Sequence, residues 1–355
     1  MSSTPDIMYS MFSVQDHYPV EKYPDHARTL DQLYDEVIEQ AKLADDLGYD
    51  TFFVAEHHFH EYGTVPNPAI MMAHIAGQTS RIRLGSAISL LTFHNPLTVA
   101  ENYAMVDLLS KGRVFMGVGS GYLKHEFDGY GINGAEKRER FDENLEIVTR
   151  LLQGERLNYQ GKFNQINEVQ LNVFPLQQPH PPIAVAILRK EAAYHVGLKG
   201  HNMLCVPYGT LDKWSEMTEL TSEFQRGRKE GGKPAKPGDT AFVFHTHVTE
   251  TEDELREAVA DSFDLYVRTR LYAKSQTYDD ILASGLSLFG TPDTIADKVI
   301  ELYRLGVTHV MTLHNFGHVP TAKVHRSMKL FAQEVMPRVR SRLAQDDLQD
   351  AHGVA

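Results

Sequence analysis

The chain has 355 residues, 42% of them apolar and 23% charged, a composition that excludes extended disorder. Its 35 Lys and Arg against 47 Asp and Glu give a net charge of −12, and an acidic chain without a basic block is a poor partner for nucleic acid or an anionic membrane. The one cysteine, Cys205, excludes an internal disulfide framework and a thiolate metal cluster. It reads as a buried, unreactive thiol. No signal peptide is visible at the N-terminus and no run reaches the roughly 20 apolar residues of a membrane span, so a soluble, cytoplasmic protein is expected.

Short β-rich runs alternate with longer helical patterns. Ile7–Phe12 is the first strand, and Leu30–Leu47 a helix with Leu30, Leu33, Val37, Ala41 and Ala44 on one face and Gly48 as its stop. Thr51–Ala55 is a strand, Pro68–Thr79 a helix opened by proline, Ile82–Leu91 a strand and Pro96–Leu109 a helix. Val114–Val118 and the helix Lys137–Leu152 follow, then Ile183–Leu188 with Glu191–Leu198, and Asn202–Val206 with Leu211–Lys229. Thr240–Thr249 leads into a helix from Glu252, and Thr291–Leu305, Val307–Leu313 and Thr321–Leu343 close the chain as helix, strand and helix.

Strands alternating with helices imply parallel pairing through right-handed crossovers. About eight such units favour an α/β fold of the closed (β/α)8 TIM-barrel type over an open sheet. Without a strong linker, residues 1–355 read as one domain with insertions in the βα loops. Three stretches exceed ordinary connection length: 119–136, 154–182 and 266–290. The second carries a hairpin-like piece, Leu157–Phe163, and the third is a candidate lid.

The densest titratable cluster is Glu56-His57-His58-Phe59-His60-Glu61, just past the second strand, where a barrel places its active site. It fits an acid–base site around a cofactor. It also fits a metal site, through His58-x-His60 with His245-x-His247, or histidines with no catalytic part. Gly117-Val-Gly-Ser-Gly121 after the fourth strand is a close-approach loop for a phosphate or a tight turn. Leu188-Arg189-Lys190 at a helix start is a phosphate site or solvated charge.

With these residues the chain resembles the bacterial luciferase-like flavin monooxygenases over almost its whole length. The resemblance rests on Leu47–Phe59, Leu84–Pro96, Asp107–Arg113 leading into Gly117–Gly121, Pro181–Ala186 and Phe289–Asp293, in that order. It implies a barrel that binds FMN at its C-terminal face, where reduced flavin and O2 oxygenate a small organic substrate. His57 matches the catalytic, proton-handling histidine. Ala55 and Glu56 match residues beside the flavin ring, and Ala87-Ile88 a non-proline cis peptide beneath it. Ser120, Tyr122 and Leu123 match the flavin-contacting loop, and Leu188, Arg189 and Ala192 the phosphate loop and the helix after it.

Two departures stand out. The luciferase α chain has a reactive cysteine and then an arginine where this chain has Gly119-Ser120, and a serine and a threonine where it has Arg189 and Ala192. Arg189 is therefore expected to hold the FMN phosphate. No dinucleotide fingerprint is present, so reduced FMN is expected from a separate flavin reductase. A homodimer is expected as well. The alternatives are an F420-dependent oxidoreductase, a metal-dependent barrel hydrolase and a non-catalytic flavin-binding protein.

Overall fold

The computed structural model describes residues 7–26, 28–270 and 276–352. Among these the strands are, in chain order, β1 (Met8–Ser13), β2 (Thr51–Val54), β3 (Arg83–Leu90), β4 (Val114–Gly119), β5 (Leu157–Gln160), β6 (Gln165–Val169), β7 (Ile183–Ile187), β8 (Asn202–Cys205), β9 (Thr240–Val248), β10 (Leu288–Gly290) and β11 (His309–Leu313). Neighbours run β1, β2, β3, β4, β7, β8, β9, β11 and back to β1, and every one of these pairs is parallel. Eight parallel strands with helices between them thus close a TIM barrel. Both faces of such strands are covered, which is why they read as near-continuous apolar runs.

Local signals set the helix ends. Thr29 forms a capping box with Gln32 at the start of helix Leu30–Leu47, and Gly48, at φ 80°, ends it in the left-handed conformation. Asn67 and Asn95 cap helices Pro68–Ala76 and Pro96–Ser110, each with proline just inside the start. At the opposite face of the barrel from the strand C-termini, Asp107 and Arg113 have structural jobs. Asp107 accepts from the backbone N–H and side chain of Gln177, while the Arg113 guanidinium donates to the carbonyls of Ile82 and Ala76.

The structure corrects some boundaries. The helix read as Leu211–Lys229 begins only at Met217. Before it lie a single turn at Pro207–Thr210 and a 3-10 turn at Trp214–Glu216, because Pro207 starts a turn and Leu211 is already extended. The 119–136 stretch is not all loop, since Lys124–Tyr130 is helical. The 154–182 stretch holds the antiparallel hairpin of β5 and β6. In the 266–290 stretch, residues 271–275 lie outside the described residues. The rest ends helix Asp253–Thr269 and forms helix Tyr278–Ser284 and β10, which extends the far end of β9. No helix among the described residues is long and apolar enough to cross a membrane.

Candidate active site

Six strand ends and the segments after them enclose a cavity of about 380 Å³, within the size range of small-molecule sites. Its wall includes Phe12 and Val14 at the end of β1, Glu56 and His57 after β2, Ala87 and Ile88 in β3, and Gly119, Ser120 and Tyr122 at the end of β4. Leu188, Arg189 and Ala192 after β7 and Tyr208 after β8 complete it. The floor at β3 is a bulge. Ser86 pairs with Met116 but Ser89 with Val118, so β3 has one residue more than β4 across this interval. The extra length falls at Ala87–Ile88, whose peptide bond is cis.

His57 is held from three sides. Its Nδ1 is 3.1 Å from Glu126 Oε1, its ring centroid is 4.5 Å from that of Tyr62, and a Cβ at Gly63 would lie 2.7 Å from His57 Cδ2. Glu126 Oε1 also accepts the His58 backbone N–H at 3.1 Å. An ionised carboxylate only accepts, so His57 donates through Nδ1 and its Nε2 is left to exchange a proton. The side chain is 10% exposed, enough to meet a ligand while shielded from bulk water.

Glu56 is turned into the wall. Its Oε1 takes His58 Nε2 at 3.0 Å and His94 Nε2 at 2.5 Å, and its Oε2 takes the Leu90 N–H at 3.0 Å and Ser89 Oγ at 3.3 Å. Burial pushes the Glu56 carboxyl upward, but hydrogen bonds from His58, His94 and Leu90 outweigh it and hold the group below its ordinary value. For His94, burial disfavours the charged ring, yet the Glu56 hydrogen bond and charge raise it above the ordinary histidine value.

The residues expected to surround a flavin are therefore brought together with two exceptions. Ala55 and Leu123 are each 3% exposed and stand behind the wall, Ala55 donating its N–H to Gln15 Oε1 and Leu123 capping helix Lys124–Tyr130. Arg189 is exposed at the cavity rim, whereas Lys190 pairs with Glu219 at 2.7 Å. Lys137 and Arg138, at the start of helix Lys137–Leu152, also line the cavity. Their clustering in Lys137-Arg-Glu-Arg140 after a long loop was the one available signal. Glu126 carried none.

The two histidine pairs do not combine into one ligand set. His245 is ringed by Tyr208, Phe263, Tyr266 and Phe316 at 4.3–5.0 Å. His247 lies beside Lys323 and Arg326, whose charges disfavour a cation. His60 Nδ1 instead accepts the Tyr62 N–H. Among the described residues one trio of donors converges, Glu56, His58 and His94, and these already hydrogen-bond to one another. Cys205 is buried, and burial pushes its thiol up to about 12.

Residues 11–309 match the family described as Luciferase-like monooxygenase. The oxygenase component of the flavin-dependent trigonelline monooxygenase of Acinetobacter baylyi is 28% identical over 65% of this chain and 64% of its own length. The crystal structure of monooxygenase RslO1 from Streptomyces bottropensis superposes with a TM-score of 0.85 at 27% identity, covering 93% of this chain and 99% of that one. The F420-dependent glucose-6-phosphate dehydrogenase of Amycolatopsis mediterranei is 24% identical over 86% of this chain and 95% of its own. With a barrel, a strand-end histidine and a family match across most of its length, the chain belongs to the luciferase-like monooxygenases, a family of oxidoreductases that includes both flavin- and F420-dependent enzymes.

Proposed function

We propose that the protein is an FMN-dependent monooxygenase that uses reduced flavin and O2 to oxygenate a small organic substrate. One observation carries this reading: a single cavity joins a braced histidine, His57, to a cationic rim of Arg189, Lys137 and Arg138. An apolar floor suits a flat heterocycle, and cations at the rim suit its phosphate. FMN in its reduced form would supply the electrons for O2 activation. The chain's own residues supply the rest. Ala87, Ile88 and Leu188 support the ring, and Arg189 with Lys137 neutralises the phosphate. Ser120, Tyr122 and Ala192 close the sides, and the strand ends exclude water. His57 gives or takes a proton through Nε2, while Glu126 fixes its ring.

The relative named as an oxygenase component favours reduced flavin delivered by a separate reductase. A cytoplasmic setting belongs to the same proposal. So does a homodimer, for which exposed Ile70, Met105 and Leu109 on the two adjacent helices Pro68–Ala76 and Pro96–Ser110 offer an apolar face. The F420-dependent relative favours a second reading, hydride transfer to or from F420 in the same cavity.

Titration of the purified protein with FMN, reduced FMN and F420 separates these readings, followed by O2 consumption with reduced FMN and a panel of small substrates. FMN binding with substrate-dependent oxygenation supports the proposal. F420 binding without FMN binding replaces it, and flavin binding with no turnover makes the protein a carrier.

A further inference from the structure

Glu56 stands between two cavities. On one side it lines the main pocket. On the other it lines a separate cavity of about 170 Å³ whose wall also includes Asn67, Ser89, His94, Asn95 and Tyr103. The carboxylate is 1% exposed, whereas the His94 side chain is 29% exposed. His94 Nε2 and His58 Nε2 both reach the same oxygen, Glu56 Oε1, at 2.5 and 3.0 Å. His58 Nδ1 in turn lies 3.1 Å from Tyr130 Oη. His94, Glu56, His58 and Tyr130 thus form a row of hydrogen-bonded ionisable groups, and its member Glu56 lines the pocket that holds His57.

We propose that His94 and Glu56 form a proton relay through the barrel wall, so that the pocket exchanges protons with solvent while its mouth is closed by ligand. This rests on reading the main pocket as the site of flavin chemistry. In the relay, a proton taken up on Nδ1 of His94 releases the one on Nε2 to Glu56 Oε1. Glu56, which lines the pocket, then passes it to a basic oxygen or nitrogen of the ligand bound there. Only bonds to hydrogen form and break, and nothing is oxidised or reduced. Burial of a carboxylate beside an active pocket costs free energy unless it is well bonded, and a barrel has no packing need for two imidazoles on one buried oxygen. The Glu56 hydrogen bond raises His94 above its ordinary value, which keeps an exchangeable proton on the pair near neutral pH. The other titratable groups facing the pair are His58 and Tyr130 across the carboxylate and Tyr103 from helix Pro96–Ser110. Glu126 faces the same row, acting on Tyr130 and accepting the His58 backbone N–H.

The test uses His94→Gln, which keeps an N–H donor for Glu56 but cannot take up and pass on a proton. In the flavin-free protein, NMR should find His94 titrating above an ordinary histidine and falling in Glu56→Gln. In the FMN-loaded protein, stopped-flow proton exchange read by a pH indicator should slow roughly 10²-fold in His94→Gln, the lower end for a lost proton-transfer group. FMN affinity should be unchanged, and imidazole in the buffer should restore part of the rate. Full-rate exchange in His94→Gln, or a His94 titration indifferent to Glu56→Gln, overturns the relay. A wild-type protein that binds no FMN overturns the flavin reading instead, and the flavin-free titration then still decides the pair.

Discussion

His57 Nδ1 and Glu126 Oε1 lie 3.1 Å apart although 69 residues separate them in the chain. The contact joins the end of β2 to the helix Lys124–Tyr130 beyond β4, and it selects the ring tautomer in which Nε2 is free for chemistry. His57→Ala should slow product formation by about 10²–10⁴, the range for lost acid–base catalysis, with FMN still bound. Glu126→Gln should lower kcat by less than that and leave KM nearly constant, because an amide can present either a donor or an acceptor to Nδ1. Steady-state kinetics at saturating reduced FMN check both, and a Glu126→Gln enzyme with wild-type kcat would remove Glu126 from the machinery.

Arg189 stands exposed at the cavity rim, and the adjacent lysine is engaged with Glu219. Arg189→Ala should weaken FMN binding by about 1.5–3 kcal/mol, the range for a hydrogen bond to a charged group, or about ten- to 150-fold. Riboflavin, which lacks the phosphate, should bind both proteins alike. Equal weakening of both flavins would reassign the phosphate to Lys137 or to backbone N–H groups.

Much of this architecture is legible in the sequence, for identifiable reasons. The strands are buried on both faces, so apolar runs such as Ile183–Ile187 announce themselves, and Gly48 marks the end of the helix Leu30–Leu47. Glu56 and His57 stand out because a titratable cluster directly follows a strand. Contacts between distant segments are not legible. Glu126 sits on a seven-residue helix, too short to show a period, and nothing local marks it as the partner of His57. Lys137 and Arg138 look like any charged helix start until the 119–136 segment carries them to the cavity. His94 lies within the Leu84–Pro96 segment that carries the family resemblance, but its bond to Glu56, 38 residues away, exists only in the folded barrel.

Two glycines of β4 should respond differently to alanine. A Cβ at Gly117 would lie 2.2 Å from the Ser86 carbonyl oxygen, which is backbone of the neighbouring strand. Neither strand can yield, so Gly117→Ala should cost about 1–3 kcal/mol of stability, read as a lowered Tm. A Cβ at Gly119 would lie 2.1 Å from Ile88 Cδ1, the tip of a side chain that lines the cavity. That methyl can swing aside, but at the expense of cavity space. Gly119→Ala should therefore lose less stability and more FMN affinity than Gly117→Ala loses among the molecules that remain folded. Thermal melts paired with FMN titrations check the contrast, and an unchanged FMN affinity in Gly119→Ala would place the flavin elsewhere.

Stability should fall as pH falls below neutrality, through buried histidines. Burial, with the charge of Arg83, pushes the His309 ring down from 6.5 to about 3. Burial, with Lys323 and Arg326, pushes His247 down to about 4. Burial also holds His245 and His314 well below the ordinary value. Below pH 6.5 the unfolded chain protonates these rings while the folded protein does not, so the unfolded state binds more protons and acid favours it. His94 has the opposite sign. Its raised value adds stability that is full below 6.5 and is lost as pH rises through the folded value. Glu56, held below 4.5, gives stability that fades only as pH drops through its folded value. Four depressed histidines outweigh one raised one, each contributing at most about 1.4 kcal/mol per pH unit. The urea midpoint should therefore decrease steadily from pH 7 to pH 5, before carboxylate protonation adds to the loss. A midpoint that stays flat over that interval would mean that these rings are not buried neutral in the folded barrel.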